Sequence, residues 1–90
     1  MTNPDDLRLL PWTGPGGKPC YLSTDDSDSY LSRLADNIES IQLGLAAERV
    51  EAAHEALDDE HTDAQDLRRL VRGLADSLTA VHRIAHSRTP

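Results

Sequence analysis

Ninety residues with a net charge of −7 and one cysteine hold at most one small core, cannot be stapled by an intrachain disulfide, and are repelled by phosphate backbones. A disulfide scaffold is therefore excluded and direct nucleic-acid binding disfavoured. No apolar run reaches the roughly eighteen residues of a membrane span and nothing near Met1 is ordered like a signal peptide, so the expectation is a cytoplasmic protein without a membrane partner.

The charge divides the chain in three. Residues 1–24 carry two acids and two bases, residues 25–60 eleven acids against Arg33 and Arg49, and residues 61–90 three acids against five arginines. A boundary near residue 24 separates an N-terminal arm, 1–24, from a helical domain, 25–90.

In the arm, Leu7, Leu9 and Trp12 precede Gly14-Pro15-Gly16-Gly17, and Cys20, Tyr21 and Leu22 follow it. Two short apolar segments around such a turn predict a β-hairpin or an extended lid. Pro11 and Pro19 cannot donate to a ladder, so neither segment can be an inner strand. Trp12 and Tyr21 are expected to cover helix surface or to dock a partner. Two motif look-alikes fail. A phosphate-binding loop would need Gly where Trp12 stands and a hydroxyl where Pro19 stands. The Trp-x-Gly turn of small secreted helical hairpins joins their helices, whereas Trp12–Gly14 precedes both helices here.

Thr24–Ser29 reads as a helix start, with Ser27 or a neighbour as cap, and predicts a first helix over about 27–59. Leu31, Leu34, Ile38, Ile41 and Leu45 recur in steps of three and four and define one face. Leu43, Ala46, Val50, Ala53 and Leu57 define a second, about 120° around the helix. Gly44 is expected to permit a close approach or a bend. A second helix is predicted over about 62–87, opened by a Thr62–Gln65 capping box, with a seam of Leu67, Val71, Leu74, Leu78, Val81 and Ala85, widened by Leu70 and Ile84.

The short connection makes the pair an antiparallel hairpin, in which Glu48, Glu51 and Glu55 could face Arg68, Arg69 and Arg72. The hairpin buries one stripe per helix and leaves the other stripe of the first helix uncovered. The expected fold is therefore mainly α, a helical hairpin behind a β-hairpin or lid, completed as a homodimeric four-helix bundle. The candidate interaction surface is Trp12, Tyr21, Leu43, Val50 and Leu57.

Catalytic chemistry finds little to stand on. Glu51 and His54 have the Glu-x-x-His spacing of di-iron bundles but fall away from both apolar stripes, and no further inward histidine completes a site. His82 and His86 share a face beside Arg83 and Arg88, which oppose a cation. Cys20 has no sequence-near histidine or second cysteine to activate it. No catalytic, metal or cofactor residue is assigned, and the chain reads as a non-enzyme.

The segments Arg8–Thr24, "RLLPWTGPGGKPCYLST", and Tyr30–Glu48, "YLSRLADNIESIQLGLAAE", resemble a group of short, acidic, uncharacterised actinobacterial proteins. That resemblance implies a cytoplasmic bacterial protein and brings no activity, cofactor or site residue with it. The functional expectation is a small protein-binding or regulatory dimer with an unidentified protein partner. The alternative is an acidic nucleic-acid mimic that blocks a DNA- or RNA-binding protein, which would need the acids of 25–60 to form one exposed patch.

Overall fold

A computed structural model describes residues 7–23 and 30–88. Strand β1, Leu7–Thr13, pairs antiparallel with β2, Pro19–Ser23, through a short 3-10 turn at Pro15–Gly17, and helices α1, Tyr30–Asp58, and α2, Ala64–Ser87, follow. The expected helix cap at Ser27 lies outside the described residues. The β-hairpin turn depends on its glycines: Gly16 and Gly17 have φ of 70° and 74°, a region that side chains with a Cβ rarely enter. The Gly14 amide closes the loop by donating to the Lys18 carbonyl at 2.7 Å.

Both strands of the two-stranded sheet are edges, which suits both prolines, and Pro11 lies where the register breaks between Leu9 and Thr13. Arg8 pairs with Leu22, and Leu9 with Tyr21. Because side chains alternate across a sheet, Arg8 and Leu22 share one face and Leu9 and Tyr21 the other. The first face meets the helices. Leu10 and Pro11 are buried and Trp12 half-buried. Tyr21 remains 53% exposed: the pleat turns it outward, so it does not cover the helices of its own chain. Strand β1 packs on both helices, more extensively on α2.

The helix pair forms as expected, with one correction at its junction. The N-cap of α2 is Asp63, whose Oδ1 accepts from the Asp66 amide at 2.8 Å. Thr62 instead donates its hydroxyl to the Ala56 carbonyl at 3.2 Å and ties the loop back to the end of α1.

The face by which the helices meet is not the expected one. On α1 the covered line is Ala35, Glu39, Gln42, Ala46, Arg49, Ala53 and Ala56, each buried or half-buried and spaced by fours and threes. At 100° per residue this line runs between the two apolar stripes and leaves one on either side. On α2 the facing line is Leu70, Gly73, Ser77, Ala80, Ile84 and Ser87; it takes in Leu70 and Ile84 from the margin of the expected seam, whose centre lies about a third of a turn away and whose Leu74 and Val81 are half-buried. Leu67, Val71 and Leu78 of that seam are 40%, 62% and 71% exposed. Small side chains and one glycine let the backbones approach more closely than facing leucines would. Arg49 fills the centre, donating from Nη1 to the Gly73 carbonyl at 2.9 Å and to Ser77 Oγ at 2.7 Å.

Two smaller corrections follow from the same geometry. A Cβ added at Gly44 would meet nothing within 4 Å, so the close approach lies at Gly73, where a Cβ would come within 3.3 Å of Arg49 Nε. Among the described residues no ion pair joins Glu48, Glu51 or Glu55 to Arg68, Arg69 or Arg72; Arg69 meets Asp66 on its own helix at 3.8 Å.

Candidate interaction surface

Since α1 and α2 join mainly through small and polar residues, with Leu70 and Ile84 the large apolar side chains in the line, most of their large apolar side chains are left at the borders. On one side the second stripe of α1 and the expected seam of α2 become a single surface. Between them runs a groove of about 370 Å³, lined by Ala46, Ala47, Val50, Leu74, Ser77, Leu78 and Val81. Leu43, Val50 and Leu57 of the expected surface all lie along this side and are exposed, Leu57 at 75%. The structure therefore places these three on one face with Leu67, Val71 and Leu78. Trp12 and Tyr21 belong to the separate β-hairpin. On the opposite side, Leu45 of the first stripe lines a smaller cleft with Gln42, Asp76 and Ala80.

The groove contains no group suited to acid–base or nucleophilic chemistry; its single polar side chain, Ser77, already accepts from Arg49. It can bind apolar side chains.

A polar node holds the β-hairpin at the other end of the helix pair. From β1, Arg8 reaches the start of α1: Nη1 donates to the Ser32 carbonyl and hydroxyl at 3.3 and 3.1 Å, and Nη2 to Asp36 Oδ1 and Glu39 Oε1, both at 2.7 Å. Glu39 is 1% exposed. Its second oxygen has no hydrogen bond and lies 3.6 Å from Arg88 Nη2, an ion-pair distance. Burial pulls the Arg8 pKa down, but the hydrogen bonds and charges of Glu39 and Asp36 outweigh it and hold the guanidinium above its ordinary value. Arg8 thus stays charged across the whole range in which proteins fold. Arg83 adds a longer contact, 3.4 Å from the Pro11 carbonyl.

Sequence reading overlooked this node because a charged residue at a core position looks like a break in the pattern. The one signal pointing to it was the run of alanines at 35, 46, 53 and 56, whose spacing of fours and threes carries through Glu39, Gln42 and Arg49.

The remaining candidates stay apart. Glu51 and His54 are exposed on α1, and His82 and His86 on α2. Among the described residues no three His, Cys, Asp or Glu side chains are grouped so as to hold a metal ion. Cys20 is half-buried, against Gly14. No described helix is long and apolar enough to cross a membrane. No protein-family model, curated protein or solved structure matches the chain.

Proposed function

We propose that this chain works without catalysis, as a small protein-binding or regulatory helical protein of the bacterial cytoplasm that assembles as a homodimer in a four-helix bundle. The observation that supports the reading is the apolar face shared by α1 and α2. Leu10, Ala35 and Ile84 are the fully buried hydrophobic residues among those described, the rest of the apolar core being half-buried, a thin core for a chain of this size. Covering the shared face supplies the missing burial, at roughly 25 cal/mol per Å² of apolar surface. Light scattering at micromolar concentration tests it: about twice the 9.9 kDa chain mass is expected, and a cooperatively folded monomer would overturn the assembly.

The nucleic-acid mimic keeps one observation in its favour. Glu48, Glu51, Glu55 and Asp58 form an exposed acidic strip along the outer side of α1, although Asp36 and Glu39 are taken up by Arg8. Salt-sensitive displacement of duplex DNA from a basic DNA-binding protein would favour this second reading. Undiminished DNA binding would remove it.

A further inference from the structure

The two helices carry opposite charge. α1 has six acids against Arg33 and Arg49, a net −4, and α2 has Asp66 and Asp76 against four arginines, a net +2. Within one chain this difference is little used: among the described residues the ion pair between the two helices is that of Glu39 with Arg88, the C-cap of α2, at 3.6 Å, and the line between them is filled mainly by alanine, glycine, serine and Arg49, with Leu70 and Ile84. The complementary charges instead border the apolar face. Glu51 and Asp58 lie along its outer edge on α1, and Arg68 along its outer edge on α2, as the helical periodicity places them relative to Val50, Leu57 and Val71.

Two layers of antiparallel helices can meet face to face about a twofold axis in two ways. An axis running across the helices sets α1 on α1 and α2 on α2, bringing two helices of net −4 together. An axis running along the helices sets α1 of each copy on α2 of the other. We infer that two copies of this chain meet through the face containing Val50, Leu57, Val71 and Leu78 about a twofold axis parallel to the helices, so that α1 packs on the partner's α2 and both β-hairpins stand at the same end. This rests on the homodimer reading above and specifies its arrangement.

The levels agree. Arg49 is level with Gly73, to whose carbonyl it donates. Arg68, five residues before Gly73, is then level with about residue 54 of α1. In the parallel-axis dimer each Arg68 faces the partner's α1 between Glu51 and Asp58, within about one turn of both. The second copy is favoured over a foreign protein on two grounds. A face needed to complete the core must be covered whenever the chain is folded, and a second copy is always at hand. The charges bordering the face also complement themselves under this symmetry.

The experiment uses the full chain. Spin labels on Lys18→Cys, in the exposed turn of the β-hairpin, with Cys20→Ser to remove the native thiol, report the separation of the two β-hairpins in the dimer. Same-end β-hairpins give a separation well under about 40 Å. The crossed axis carries them to opposite ends, about 45 Å or more apart, given a face centred about fifteen residues along α1 from the β-hairpin end. A second measurement does not depend on the label. Arg68→Glu alone and the pair Glu51→Arg with Asp58→Arg alone should each weaken self-association about tenfold, and mixing the two variants should restore it, because both interfaces of the mixed dimer regain opposite charges. A dimer with distant labels, or a mixture no tighter than its components, would overturn the arrangement while leaving the dimer itself. A folded monomer of the unaltered chain would overturn both.

Discussion

The line along which α1 meets α2 and the face lying beside it are built from opposite materials. The line consists mostly of alanines, Gly73, Ser77, a central arginine and a buried glutamate, with Leu70 and Ile84 the large apolar side chains in it; the face consists of valines and leucines, most of them left open. In a free-standing helical hairpin the large apolar side chains would occupy the contact and the polar ones the border. Close packing with specific hydrogen bonds sets the register of the pair, and the apolar face beside it is what the proposed second copy would cover.

The sharpest way to break this comparison is to attack the polar side. Arg8→Ala leaves Glu39 buried beside a single, more distant arginine, and removing one partner of a buried ion pair costs about 3–5 kcal/mol. Urea denaturation should show the loss. Arg8→Leu combined with Glu39→Leu should recover a large part of it, since no uncompensated charge then remains. An Arg8→Ala chain as stable as the parent would show that the node does not clasp the β-hairpin.

Apolar truncations probe the other side and separate the two surfaces. Ile84, 4% exposed in the single chain, should lose about 2–5 kcal/mol on replacement by Ala at any protein concentration. Leu78→Ala should approach that figure only where the dimer is populated, and its midpoint should shift with concentration more strongly than that of the parent. If Leu78→Ala instead changes stability by less than about 0.5 kcal/mol throughout, as surface substitutions do, the face is not covered by a second copy.

The β-hairpin offers a smaller contrast. Half-buried Trp12 should cost about 1–3 kcal/mol when replaced by Ala, whereas outward-facing Tyr21 should stay within about 0.5 kcal/mol. Equal effects would mean that the pleat does not separate their roles. Trp12 fluorescence should also be partly protected from quenchers, and deletion of residues 1–23 should destabilise the helices.

The smallest effects come from the two helical glycines. Gly44→Ala meets open space and should stabilise by up to about 1 kcal/mol through helix propensity. Gly73→Ala gains the same propensity but presses on Arg49, whose guanidinium must shift from the Gly73 carbonyl and Ser77, so its thermal midpoint should rise less or fall. A Gly73→Ala chain that gains as much as Gly44→Ala would show that Arg49 does not depend on the close approach.

Local interactions determined much of this protein from its sequence alone. The turn glycines and the flanking apolar segments specified the β-hairpin, because φ above zero and strand alternation are properties of a few neighbouring residues. The helices and their antiparallel connection were equally legible, since a period of three and four and a five-residue loop, 59–63, leave few alternatives. What only the tertiary structure decided was rotation: which side of each helix turned toward the other. Periodicity marks where apolar residues lie, yet a helix with two apolar stripes can turn either stripe, or the line between them, toward its neighbour. The choice fell to Arg8, Glu39, Arg49 and Ser77, whose partners stand 24 to 31 residues away along the chain. Hydrogen bonds over such separations have no local signature, so the inward polar line, and with it the outward apolar face, emerges only when the whole chain is folded.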